Sequence, residues 1–266
     1  MSEQQPFNPR PYDRGGIDAA PGRVGNPVGT AGTAGTAPRA RTAWELGATP
    51  DARVATRLLT QSFGWMFGGL LLTALVALLI QSNPRFVQGA ADLYIVAVVA
   101  NLGLVFTISL GINRMNAGLA LGLFFAYAAV NGAMFGLIFA AYSLPSVGVA
   151  FVSTAGMFGA AAAYGVLTKR NLASLGGILS MGLIGLFIAL IVNIFLGSGL
   201  LGFVISIVGV GLFTALTAYD VQRIATGDLV ERLGSVEKAA VMGALRLYLD
   251  FINLFLMILR LTGGRR

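Results

Sequence analysis

Residues 175–196, LGGILSMGLIGLFIALIVNIFL, contain no charged side chain, and their polar side chains are limited to Ser180 and Asn193. About 20 mostly apolar residues suffice to carry a helix across roughly 30 Å of hydrocarbon, so this stretch is long enough to cross a bilayer once. Runs of the same character recur on both sides of it, at about 62–80, 92–112, 117–141, 145–167, 199–220 and 239–261. Helices are the way a spanning segment satisfies its own backbone groups, and the prolines in this region, Pro84 and Pro145, fall at span boundaries. The reading is an all-α, polytopic membrane protein: a seven-transmembrane-helix bundle. The turns near 113–116, 142–145 and 197–199 are short, so neighbouring helices run antiparallel.

Composition agrees. Of 266 residues, 56% are hydrophobic and 11% charged, whereas a soluble domain carries about 25% charged residues. Residues 1–57 differ from the rest. They hold seven of the nine prolines and the repeat GTAGTAGTA at 29–37. They have too few large apolar residues to build a core and read as a disordered polar tail. Trp44 and Leu46 are candidates to touch the membrane interface, with a solvated linker as the other reading. No early apolar run marks a cleavable secretory signal, and Glu3, Asp13 and Asp18 argue against a transit peptide. The division is therefore a tail at 1–57 and a transmembrane domain at 58–266.

The net charge is +7. Seven basic residues lie in the tail, and most others stand at the ends of apolar runs, a pattern of membrane topology and not of nucleic-acid binding. With the N-terminus cytoplasmic, the inside segments carry the tail, Arg114, Lys169, Arg170, Arg223, Arg232 and Lys238. The outside carries Arg85, Arg260, Arg265 and Arg266. The chain lacks histidine and cysteine. Disulfides, thiolate chemistry, imidazole bases and the ordinary histidine pH switch are thereby excluded. No cofactor is implied.

Two pairs of glycines, Gly118 with Gly122 and Gly132 with Gly136, have the small-xxx-small spacing that brings helices close. Packing is the simpler reading of both, gating the other. Asp220 and Asp250 are the acidic residues well inside apolar sequence; Asp92 stands at a span edge. A carboxylate in hydrocarbon costs at least about 2.5–3.5 kcal/mol, so such residues are paired, wetted or both. Thr214, Thr217 and Asp220 share one helical face, and Arg246, Asp250 and Asn253 share another. Helix spacing allows the two aspartates to meet at similar depth. Two adjacent carboxyls in a low-dielectric site cannot both ionise cheaply, so they share a proton, and its loss makes them repel or recruit a cation. Calcium, which favours oxygen ligands, would be held weakly by two carboxylates, as suits passage rather than storage. The alternative is that the aspartates are hydrogen-bonded glue between helices.

Residues 244–255, ALRLYLDFINLF, resemble the last-helix signature of the Bax inhibitor-1 (transmembrane Bax inhibitor motif) family. Residues 217–224, TAYDVQRI, resemble its preceding helix, and 62–70, SFGWMFGGL, its first span. The resemblance covers about 55–266 and suggests a bacterial-type member of the inner membrane. It implies seven helices with the last near the centre, and an aspartate pair, here Asp220 and Asp250, as a pH-sensitive latch on a calcium-leak path. It also implies a basic residue after the second span that bonds the first aspartate. Arg114 is the candidate, with a cytoplasmic-edge anchor as the other reading. Arg246, four residues before Asp250, departs from the small polar or acidic residue of relatives. It is expected to act as an internal counter-ion to Asp250 and to tune the latch.

The expected function is thus a pH-sensitive calcium leak, not an enzyme, with lipid, calcium ions and protons as its partners. The alternative is a non-conducting regulator that binds a membrane-protein partner, since the resemblance also implies quality-control and cytoprotective roles. An intramembrane aspartyl protease is disfavoured because Asp250 lies in LYLD, without a GxGD or a PAL triplet; a serine–histidine protease lacks its histidine. A proton-coupled transporter is also open; its mark would be saturable, substrate-coupled flux, and no convincing inverted repeat is evident.

Overall fold

The computed structural model describes residues 52–263, and these are helical throughout apart from short turns. The seven expected spans are present as α1 (Ala52–Gln81), α3 (Tyr94–Gly111), α4 (Ala117–Ala141), α5 (Leu144–Leu167), α6 (Gly176–Leu196, preceded by the 3₁₀ turn Leu172–Leu175), α7 (Gly199–Ala225) and α9 (Val236–Thr262). Two short helices were not foreseen: α2 (Pro84–Asp92) and α8 (Asp228–Leu233). Helix α1 begins at Ala52, so the last residues assigned to the tail, 52–57, are helical. The remaining tail, with Trp44 and Leu46, and the outer arginines Arg265 and Arg266 lie outside the described residues.

Local chemistry sets the boundaries. Asn116 caps α4 by accepting from the Leu119 amide at 2.7 Å, and Ser198 and Ser235 cap α7 and α9 in the same way. These oxygens satisfy amides that the first helical turn leaves unpaired. Gly197 ends α6 in the left-handed region at φ 61°, where a side chain would be strained.

The helices differ in how much they bury. In α9, 78% of the most apolar window is buried, against 6% in α3 and 11% in the α6 segment. Helix α9 packs against α1, α4, α5 and α7 and forms the middle of the bundle. Its sequence explains this: Arg246, Asp250 and Asn253 are tolerable only away from lipid. Helices α3 and α6 carry no charged side chain and leave Ile95, Leu110, Ile178, Ile194 and Phe195 exposed. In a bilayer these side chains meet acyl chains.

Only one of the two glycine pairs packs as its spacing suggests. A methyl group on Gly132 would lie 2.7 Å from Val76 Cβ, and one on Gly136 would lie 2.6 Å from Ile80 Cβ. These glycines let α4 approach α1 closely. Gly122 has nothing within 4 Å of an added Cβ, and Gly118 meets only the Asn116 side chain at 3.5 Å. Spacing alone cannot say which face of a helix has a neighbour.

Candidate functional site

Helices α7 and α9 bring Asp220 and Asp250 into one buried region, with 7% and 5% of their surfaces exposed. Arg246 joins them. Its Nη1 donates to Asp220 Oδ1 at 3.0 Å. Asp250 lies within Coulombic reach of both Asp220 and Arg246, yet its Oδ2 is buried without a hydrogen-bond partner among the described residues. A buried polar atom left unpaired costs about 1–3 kcal/mol, and most native structures avoid it.

Arg246 is thus within Coulombic reach of Asp250, but its direct hydrogen-bond partner is Asp220, on the neighbouring helix. Side chains on a helix lean toward its N-terminus. From position 246 the guanidinium extends away from residue 250 and meets α7. Arg114 stands apart. It is exposed in the turn between α3 and α4, and no hydrogen bond or ion pair joins its side chain to Asp220. The basic partner of the first aspartate comes from α9 instead.

The polar stripes beside the aspartates are satisfied locally. Thr214 donates to Val210 O at 2.7 Å, Thr217 to Phe213 O at 2.8 Å, and Asn253 to Leu249 O at 2.8 Å. These bonds return to the preceding turn of the same helix, so none of them reaches a carboxylate. Among the described residues no group of three or more acidic side chains could enclose a metal ion. Two carboxylates, one of them already paired with a cation, give a calcium ion few oxygens of the six to eight it prefers.

Three further polar arrangements escaped the sequence reading. Tyr248 Oη lies 2.7 Å from Thr73 Oγ1, and Thr73 is also within bonding distance of Gly69 O and Ala128 O. Threonine has a single hydroxyl hydrogen for those carbonyls, so Tyr248 is the donor of the pair. This knot ties α1, α4 and α9, two residues before Asp250 along α9. A buried tyrosine needs a partner for its hydroxyl, which is the signal that could have found it.

The second arrangement is Gln222. Its Nε2 donates to Arg170 O at 2.8 Å, and its Oε1 accepts from the Leu172 amide at 2.7 Å. One amide thus fastens the α5–α6 connection to α7, two residues beyond Asp220. The third is Asp228, between two arginines. Arg223 Nε donates to its Oδ2 at 2.6 Å, with Arg223 Nη2 also in contact, and Arg232 Nε donates to its Oδ1 at 3.0 Å. Burial pushes the Asp228 carboxyl up, but the hydrogen bonds from Arg232 and Arg223 outweigh it and hold the group below the usual carboxylate range.

Comparison with known proteins agrees with this architecture. The family model described as inhibitor of apoptosis-promoting Bax1 matches residues 55–266. The inner membrane protein YbhL of Escherichia coli (strain K12) is 40% identical over 230 residues, covering 82% of this chain and 95% of the relative. An uncharacterized protein of Deinococcus radiodurans is 39% identical over 208 residues, with 78% and 90% covered. One from Borreliella burgdorferi is 38% identical over 218 residues, with 80% and 94% covered. With seven helices of spanning length among the described residues, the last of them the most buried, the chain belongs to the Bax inhibitor-1 family of multi-pass membrane proteins.

Proposed function

We propose that the chain is a proton-sensitive calcium leak of a bacterial inner membrane, with Asp220 and Asp250 as its latch and Arg246 as the resident counter-ion. The observation that carries this reading is the unpartnered Asp250 Oδ2, buried next to an intact Asp220–Arg246 ion pair. That oxygen is placed to hold a proton or meet a cation, and structural glue would have given it a donor. With Arg246 on Asp220 the pair carries a single uncompensated carboxyl, and protonation makes it neutral. Loss of that proton leaves a buried negative charge beside the ion pair. The helices then separate, admit water, or take up a cation. Calcium is the hard cation that fits carboxylate oxygens, and two such ligands hold it weakly enough to pass.

The cytoplasmic placement of the N-terminus follows from the distribution of basic residues. The inner-membrane assignment is supported by the name of the relative YbhL. Arg114, exposed in its turn, takes the edge-anchor role in this proposal.

The non-conducting alternative is favoured by one feature. Arg246 already occupies Asp220, where calcium would have to enter. Calcium flux into proteoliposomes, measured between about pH 6 and 8, where a proton-sharing carboxyl pair can titrate, separates the two. The leak reading expects a pH-dependent flux that Asp250→Asn alters. Flux no greater than that of empty liposomes, from folded protein, sinks it in favour of the regulator.

A further inference from the structure

Helix α2 is too short to span a bilayer and is amphipathic along its length. Arg85, Gln88 and Asp92 recur at i, i+3 and i+7, while Phe86, Gly89, Ala90 and Leu93 form the opposite pattern. Such a helix lies in the plane of the interface with its polar face at the headgroups. Its start is fixed there: Asn83 accepts from the Arg85 amide at 3.0 Å, and Pro84 occupies the first turn.

The apolar face of α2 does not close on its neighbours. With α3 and α4 it bounds a cavity of about 480 Å³, whose far wall includes Ala97 and Ala133. That volume lies within the roughly 300–1,000 Å³ of ligand pockets. Phe86, Leu93 and Val96 at its sides are more than half exposed, so the cavity opens sideways, where acyl chains lie. One charged residue lines it, Arg85. The Arg85 side chain is exposed and has no hydrogen-bond or ion-pair partner among the described residues.

We infer that this cavity between α2, α3 and α4 is a binding site for an anionic phospholipid, with one acyl chain against α2 and the phosphate on Arg85. The chemistry selects the occupant. A soluble anion has no use for an apolar slot, and a zwitterionic lipid sets its own cation near the arginine. An exposed arginine pairs with a phosphate that has no cation of its own and donates up to five N–H bonds to its oxygens. The inference is independent of the aspartate pair and of conduction.

The test is native mass spectrometry of the purified full-length protein in detergent, titrated with phosphatidylglycerol and with phosphatidylcholine of the same acyl chains. Wild type should retain one phosphatidylglycerol up to about fivefold more tightly than phosphatidylcholine, the upper worth of one exposed ion pair. Arg85→Gln, an exposed change, should erase that preference. Gly89→Phe should weaken retention of both lipids, since Gly89 lines the cavity and an added Cβ there meets nothing within 4 Å, which leaves the ring room to enter. Equal affinity for the two lipids in wild type, or a preference that survives Arg85→Gln, overturns the headgroup assignment. Undiminished binding by a folded Gly89→Phe variant overturns the cavity as the seat. Glycerol phosphate competing as well as the whole lipid would make it a soluble-anion site and equally overturn the proposal.

Discussion

The guanidinium of Arg246 on α9 bonds the carboxylate of Asp220 on α7 at 3.0 Å, across the helix interface and not along its own helix. Removing the cation leaves Asp220 buried and unpaired. Arg246→Ser is expected to destabilise the protein by about 2–4 kcal/mol, less than the roughly 3–5 kcal/mol of a fully buried pair because a third of the Arg246 side chain is exposed. Adding Asp220→Asn should recover at least half of that loss. Unfolding in detergent, run as a double-mutant cycle, reads the coupling. In the flux assay the same single variant should move the pH profile upward, because a proton replaces the lost guanidinium.

Asp250 should behave differently. Its Oδ2 has no partner to lose, so Asp250→Asn is expected to change stability by less than about 1 kcal/mol. Asp220→Asn should cost more, about 1–2 kcal/mol, by breaking the charge-assisted bond from Arg246. Thermal unfolding of the two variants side by side checks the order. A costly Asp250→Asn would mean that a donor is held at Oδ2 after all.

Asp228 predicts a pH dependence. Its carboxyl is held below the usual 3.8 in the folded protein, so the folded state favours the ionised form. The stabilisation is complete above the unfolded value and is lost as pH falls through the folded one. Asp228→Asn should therefore cost about 1–2 kcal/mol near neutrality. The gap to wild type should close only below about pH 4. Unfolding followed from neutral to acidic pH tests this.

The two glycine pairs should separate cleanly. Gly132→Ala forces a methyl group within 2.8 Å of Thr73 O, and overpacking of this kind costs about 1–3 kcal/mol. Gly122→Ala meets nothing within 4 Å and should be neutral or stabilising by up to about 1 kcal/mol. Melting temperatures of the two variants decide it.

The spans were legible because one physical quantity, the length of uninterrupted apolar sequence, fixes them. Helices α2 and α8 were not, because each is too short for that signal and depends on caps and local amphipathicity. The meeting of Asp220 with Asp250 could be anticipated from the cost of carboxylates in lipid. The partner of Arg246 could not, because spacing along one helix is blind to what the adjacent helix presents. The same blindness hid the bond between Tyr248 and Thr73, residues remote in sequence that meet only after α1 and α9 pack. Asp228 and Gln222 sit in or beside turns, where hydropathy says nothing about which backbone or side-chain group waits for them.

The burial of α9 bears on how the protein is made. A chain leaves the ribosome N-terminus first, so the helix around which α1, α4, α5 and α7 assemble is the last of the seven spans to arrive. Until then the earlier helices surround a gap whose walls include Asp220 and Thr73, groups that lipid fills poorly. The nascent bundle must hold that gap open, or be held by an insertion factor, until α9 enters, brings Arg246 to Asp220 and gives the Tyr248 hydroxyl its acceptor on Thr73.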